Sequence, residues 1–327
     1  MSKTQDAPKE SPSPRDPYDF SVIVPICERH DDLSELYNQY TKILSKRGKH
    51  FEFIFVLDGP NPEIREALKS LMKTSLGIKV IELNRAFGEA TALSVGFEQA
   101  RGAAFITLAS YFQVEPEQLH KLLDIFEAGE HDLVISRRFP RIDSVFNQLQ
   151  SRAFHLIMRV LTGAKYHDVS CGLRIMGPKV TKEVHLYGDL HRFLPLLAYQ
   201  KGFRVFEVPV RQSVQDKKTR VHKPGIYLRR LLDILTLFFL FKFTRKPLRF
   251  FGLVGSALFG TGTLGLSYLV IYRLMGIGAI AGRPLLLLSV LLMVVGIQFF
   301  SIGLLGEIII FTHASKTKDY QIKAVLE

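Results

Sequence analysis

The sequence predicts an α/β domain on a mostly parallel sheet, then an interfacial helix and two membrane-spanning helices. Three observations predict it. Short apolar runs alternate with helical patterns through residues 20–210, two long and nearly uncharged runs lie near the C-terminus, and Lys and Arg flank those runs. Of 327 residues, 47% are hydrophobic and 23% charged, which is too apolar for a disordered chain. A formal net charge of +12 points to nucleic acid, anionic lipid or phosphorylated ligands. Cys27 and Cys171 are too few for a disulfide framework and fit a reducing compartment. No Cys/His spacing suits a structural zinc.

Ser2 to Asp16 has no apolar core, so residues 1–17 read as a disordered tail without a signal peptide. The strands are expected at Phe20–Pro25, Phe51–Leu57, Ile78–Leu83, Ala104–Leu108 and Leu133–Ile135. Helical patterns at 31–46, 62–74, 88–101 and 115–128 separate them. This alternation argues for a sheet covered on both faces. Ligands of such sheets bind beyond the carboxyl ends of the strands. There stand Pro25 to Glu28, Asp58-Gly59-Pro60, Asn84-Arg85, Ala109 to Gln113 and Ser136-Arg137-Arg138. No G-x-G-x-x-G follows the first strand and no Walker A sequence is present, so dinucleotide and P-loop readings lose their main support.

Gly225 to Phe243 places Arg229, Arg230, Asp233 and Lys242 on a narrow polar stripe, which fits an interfacial helix within 223–249. A third span is the rival, but those charges leave too short an apolar stretch. Phe251–Leu274 and Pro284–Thr312 are each long enough to cross a bilayer, which takes about 20 residues. They form a hairpin over 250–313. The alternative, two buried helices of a soluble core, conflicts with their length and lack of a polar face. Lys217, Lys218, Arg220, Arg245, Lys246 and Arg249 precede the spans, Lys316, Lys318 and Lys323 follow, and only Arg273 and Arg283 lie between. The positive-inside rule puts the N-terminal domain, the tail 314–327 and both termini in the cytoplasm. Gly252, Gly255, Ser256, Gly260, Gly262 and Gly265 give the first span small-residue spacing. They serve either a homo-oligomer or packing within the hairpin.

Five segments carry a resemblance spanning roughly residues 19–325. They are Val22 to Glu28, Leu83 to Leu93 with Gly96 and Ala100-Arg101-Gly102, Ser136 to Arg138, Asp168 to Arg174, and Gly303 to Glu307. In this order, beside a membrane hairpin, they resemble family-2 glycosyltransferases, specifically the polyprenyl-phosphate sugar transferases that include dolichol-phosphate mannose synthase. The resemblance implies a GT-A fold over 18–222 and inverting transfer of a sugar from a nucleotide donor to polyprenyl phosphate. The absence of Trp excludes the Q-x-x-R-W signature of the processive polysaccharide synthases. The implied partners are a nucleotide sugar, polyprenyl phosphate, the bilayer and further copies of the chain, not nucleic acid.

The same resemblance implies donor contacts from Pro25, Glu28, Asp58, Arg85 and Gln113. The alternative for Asp58 is a turn residue before Gly-Pro, and for Glu28 a helix N-terminal charge. Arg137, Arg174 and Asp189 are the implied catalytic residues, Asp189 being alternatively a helix N-cap. Arg138, Arg192, Lys218 and Arg220 are expected to meet the acceptor phosphate, or, for the basic run, lipid headgroups. Where the family places D-x-D-x-Q, this chain reads Ala109-Ser110-Tyr111-Phe112-Gln113. A hard cation needs oxygen ligands, usually carboxylates, so the family's magnesium or manganese is not carried over and its ligands are unassigned. Arginine and lysine clamp phosphates without metal, and metal-independent transfer is expected. A phosphate monoester with a second pKa near ~6 is already largely dianionic, so no general base is required. Catalysis then reduces to positioning and to stabilising charge on the leaving group. Glu307 is expected as a structural or oligomer contact near an interface. A second class of function is a non-catalytic GT-A membrane protein. The missing carboxylates favour it, whereas Gln113, Arg137, Asp168 and Arg174 favour the enzyme.

Overall fold

In the N-terminal domain the apolar runs form strands and the segments between them form helices. They are β1 (Tyr18–Ile26), α1 (Leu33–Lys46), β2 (Phe51–Leu57), α2 (Pro62–Thr74), β3 (Ile78–Glu82), α3 (Glu89–Gln99) and β4 (Gly102–Thr107). There follow α4 (Leu119–Glu127), β5 (Leu133–Arg138), β6 (Arg174–Met176), α5 (Pro178–Glu183), α6 (Leu194–Gln200) and β7 (Val205–Val210). The computed structural model describes residues 18–140, 166–186, 188–217, 247–279 and 282–314. It divides into two units, Met1–Val221 and His222–Glu327.

Local signals fix the helix starts. Asp32 caps α1 by accepting from the backbone N–H groups of Ser34 and Glu35, and Asn61 caps α2 through Ile64, with Pro62 at the first helical turn. Gly88 precedes α3 with φ of 96°, a conformation that favours glycine.

The seven strands lie in the order β3-β2-β1-β4-β6-β5-β7. All pairings are parallel except those of β6, which runs antiparallel between β4 and β5. The chain steps outward from β1 to β3, then returns to the other side of β1 as β4. That reversal opens a crevice at the carboxyl ends of β1 and β4, where ligands of such sheets bind. Because β6 is antiparallel, Arg174 at its start pairs with Thr107 and Ile135, so the loop before it reaches the same edge.

Alternate residues pack on opposite faces. Val22, Val24, Phe53 and Phe55 meet Leu36, Leu44, Leu68 and Leu122 of α1, α2 and α4 on one side. Ile23, Ile54 and Val56 meet Ala92 and Leu93 of α3 on the other. An added Cβ at Gly96 would overlap the Ile23 side chain, so α3 lies directly on β1.

The second unit contains α7 (Pro247–Leu274) and α8 (Pro284–Ala314). Both are long and apolar enough to cross a membrane, and only 17% and 11% of their most apolar windows are buried within the chain. The soluble-core alternative fails on that exposure. α7 begins inside the stretch expected to be juxtamembrane; residues 223–246 of that stretch, like both tails, lie outside the described residues.

The small residues of α7 mostly face α8. A Cβ at Gly255 would lie 2.6 Å from the Gly296 carbonyl, and one at Gly262 2.6 Å from that of Ser289, whereas Gly260 is open. At these two glycines the small residues serve packing within the hairpin. Glu307 accepts from the backbone N–H of Leu248 at 3.5 Å, a carboxylate at the positive end of α7. Gly255→Leu is expected to lower the hairpin's thermal stability in detergent by about 1–3 kcal/mol, with Gly260→Leu unchanged. Equal melting of the two variants would refute this close approach.

Candidate active site

Five strand-end segments meet at the crevice, and most of their polar groups bind one another. Asp58, after β2, accepts from the backbone N–H groups of Phe87 at 2.6 Å and Gly88 at 3.0 Å. It thereby holds the loop after β3. Gly59, at φ of 101°, lets that loop approach: a Cβ there would lie 2.9 Å from the Ala86 nitrogen. Burial, then the nearby Glu89 and Asp58 carboxylates, push the Cys27 thiol up to about 12. A protonated thiol is no nucleophile.

The loops after β1 and β4 are clamped together. Ser110 Oγ donates to the Arg29 carbonyl at 2.6 Å, the Phe112 N–H donates to Asp31 at 3.0 Å, and the Asp31 N–H to the Ser110 carbonyl at 2.9 Å. The Arg29 guanidinium lies 3.9 Å from the centroid of the Tyr111 ring, a cation–π arrangement. Gln113 is buried; its amide donates to the Tyr111 hydroxyl and accepts from the Gly172 N–H, both at 2.7 Å.

Arg138 lies at the centre of a buried ion network. It forms a bidentate pair with Asp168 at 2.7 and 3.1 Å, and contacts Asp216 at 3.2 Å and Ser170 at 3.0 Å. Burial opposes its charge, but Asp168 and Asp216 hold its pKa well above the ordinary value. Arg174 is also buried and donates to the carbonyls of Cys171, His191 and Val169 at 2.9–3.0 Å. The two arginines tie the 168–173 loop and the turn Gly188–Phe193 to the sheet.

Arg137 differs. Strand alternation turns it to the opposite face from Arg138. It is partly buried, its guanidinium lies 5.2 Å from the Phe139 ring centroid, and it forms no ion pair among the described residues. Arg85, Glu28 and Arg192 are exposed, with Arg85 over the Phe87 ring. Pro25 is buried within β1. Asp189 falls in the turn Gly188–Phe193, whereas Lys218 and Arg220 lie outside the described residues.

Of the sequence candidates, the crevice presents Glu28, Arg85, Arg137 and Arg192 with exposed or partly exposed side chains. It engages Asp58, Gln113, Arg138 and Arg174 inside the fold. Sequence reasoning placed Tyr111 at a strand end without a role, and missed Arg29, Asp216 and the pair of His191 with Glu89. Only Arg29 carried a signal, its position just after the first strand.

His191 Nε2 lies 3.1 Å from Glu89, joining the start of α3 to the turn before α6. Burial alone would raise the Glu89 carboxyl, but the His191 hydrogen bond and the charges of Arg174 and Arg192 outweigh it. They hold it below its ordinary value of 4.5. Glu89 therefore contributes stability that is present above pH about 4.5 and is lost as pH falls through its lowered folded value. Glu89→Gln is expected to melt earlier than the parent at neutral pH, and the gap to close as pH falls through the lowered folded value of Glu89. A gap independent of pH would overturn this.

The residues present do not fit the family's divalent cation. Ser110 donates to a carbonyl, Tyr111 lies under a cation, and the described residues contain no group of three His, Cys, Asp or Glu able to hold a metal.

A doubly covered, mostly parallel sheet of this order, with arginines at its switch point and two apolar helices after it, defines a GT-A-type protein with a membrane hairpin. The sequence profile of Glycosyl transferase family 2 matches residues 21–184, and the chain belongs to that family. It is 27% identical over 299 residues to a dodecaprenyl-phosphate galacturonate synthase of Rhizobium johnstonii, covering 90% of this chain and 88% of that one. It is 30% identical over 289 residues to an undecaprenyl-phosphate 4-deoxy-4-formamido-L-arabinose transferase of Pseudomonas aeruginosa, covering 88% and 84%. Glucosyl-3-phosphoglycerate synthase from Mycobacterium tuberculosis, solved with uridine diphosphate, superposes with a TM-score of 0.50 at 13% identity, over 68% of this chain and 79% of that one. This last likeness is one of fold alone.

Proposed function

We propose that this glycosyltransferase moves a sugar, with inversion, from a nucleotide-sugar donor to the phosphate of a polyprenyl phosphate lipid. The observation that carries the reading is one chain joining a strand-end crevice lined by arginines to two exposed apolar helices. Relatives matched over most of their length, both polyprenyl-phosphate sugar transferases by name, support it.

In the reaction an acceptor phosphate oxygen attacks the anomeric carbon as the bond to the donor diphosphate breaks. The nucleoside diphosphate leaves with the electron pair, and no proton need move. Arg137, with no carboxylate partner among the described residues, meets the departing diphosphate. Arg29, fixed on Tyr111, supports the same charge from the β1 side. Glu28 and Arg85 lie open for the nucleotide, and Asp58 and Gln113 act one step back by shaping the loops. Arg192, with Lys218 and Arg220, meets the acceptor phosphate; Asp189 orients the sugar or a neighbouring base. Arg138 and Arg174, engaged with carboxylates and carbonyls, hold the site together.

The test is to incubate the purified full chain with polyprenyl phosphate and a panel of nucleotide sugars. A new glycolipid, found by mass, is expected with one donor. Neither turnover nor donor binding with any of them would move the assignment to a non-catalytic lipid-phosphate binder or scaffold.

The Lys/Arg distribution supports a cytoplasmic catalytic domain and cytoplasmic termini. Cysteines placed at residues 5 and 325 are expected to resist an impermeant label in intact cells, while one at Gly278 reacts. The reverse pattern would invert the topology.

A further inference from the structure

α8 carries an amide where a bilayer offers it nothing. Gln298 lies within one residue of the midpoint of the apolar stretch Pro284–Ile310, and it is exposed. The threonines of the spans satisfy themselves locally. The hydroxyls of Thr261 and Thr263 donate to the carbonyls of Ala257 and Phe259 at 2.8 Å, one turn back, and Thr312 does the same to Ile309. The Gln298 amide bonds to none of the described residues. In hydrocarbon an unsatisfied donor and acceptor are costly, and water is not there to serve them.

The residues around Gln298 define a seam. Leu287, Leu291, Val294, Gln298, Ser301 and Leu305 recur at alternating intervals of four and three, the repeat by which helices pair along a shallow supercoil. All are exposed, the apolar four between 47% and 75%. The contacts with α7 come from the far side of the helix. Ser289, Met293, Gly296 and Phe300 meet Gly262, Gly255 and their neighbours, and at 100° per residue they lie on the side opposite Gln298. The hairpin thus uses one face of α8 and leaves a second, continuous one.

We propose that this face pairs with the same face of a second copy of the chain. Two copies inserted alike in one membrane run their α8 helices parallel, so the two Gln298 residues sit at one depth. A twofold axis along the membrane normal brings them together. A carboxamide has both donor and acceptor, so two identical amides satisfy each other, which no single apolar partner could do. An amide within a largely apolar seam also fixes register. Ser301, one turn further on, is small enough for close approach. Gly255, Gly262 and Gly265 of α7 are engaged inside the hairpin instead.

The experiment uses the full chain in lipid vesicles, with donor- and acceptor-labelled copies mixed and energy transfer followed as lipid is added. Parent chains associate. Gln298→Leu, which removes the amide and keeps the apolar surface, weakens association roughly three- to thirtyfold, whereas Gln298→Asn retains most of it. Unchanged circular dichroism and melting of Gln298→Leu show that the hairpin is intact. In a second arm, mild oxidation links Gln298→Cys into a dimer. Ile297→Cys, exposed but a quarter-turn away, links poorly, and the parent, with only Cys27 and Cys171, sets the background. A parent chain that is monomeric at every dilution would overturn the proposal. So would undiminished association of Gln298→Leu, or equal cross-linking from positions 297 and 298.

Discussion

Arg137→Ala is expected to lower sugar transfer roughly a hundredfold or more, while transfer by the parent chain survives EDTA. The two outcomes share one cause. A donor diphosphate in a partly dry cleft must be neutralised, and the position that would supply carboxylates for a cation holds Ala109, Ser110 and Tyr111 instead. Arginine does this without metal, as a planar donor array matched to phosphate oxygens. Arg137→Lys is expected to recover part of the rate, because the charge remains and the fork does not. Thermal melting of Arg137→Ala should match the parent, since its side chain forms no ion pair among the described residues. Activity abolished by EDTA and restored by manganese or magnesium would defeat the idea and assign the ion to Asp58, Glu115 or Asp189.

Asp168→Asn is expected to destabilise the N-terminal domain by about 3–5 kcal/mol, because it leaves the buried Arg138 guanidinium short of half its compensation. Asp216 alone, at 3.2 Å from a single nitrogen, cannot replace the bidentate pair. Denaturant unfolding of the two chains in one detergent measures the difference. A loss below about 1 kcal/mol, the range of an exposed pair, would mean that water reaches the network. Arg138→Ala should also destabilise, by removing the buried cation that Asp168 and Asp216 share. Where Arg137→Ala reduces rate and spares folding, Arg138→Ala reduces both.

That neighbouring arginines do such different things explains what the sequence could and could not disclose. The first five strands were legible because apolar runs such as Phe51–Leu57 are bounded by polar or turn residues. β6 was not: three residues, Arg174–Met176, have no periodicity, and they form a strand only because β4 and β5 flank them. β7 contains Pro209, which an edge strand tolerates but which weakens the pattern in a linear reading. The motifs located the site, yet a motif does not say whether a side chain faces the ligand or the fold. Asp58 and Gln113 sit at the crevice and face inward to backbone N–H groups. Asp216 lies far along the chain from Arg138, and no spacing rule connects them. Gln298 was lost in a run whose average hydropathy conceals one amide.

The Arg138–Asp168 pair also bears on how such a chain can change over time. It joins the end of β5 to the loop before β6 at 2.7 Å, and Asp216 reaches the same guanidinium from beyond β7. Three segments far apart in the sequence thus depend on one buried cation. A substitution at Arg138, Asp168 or Asp216 is felt by all three, so these positions are expected to change together or not at all.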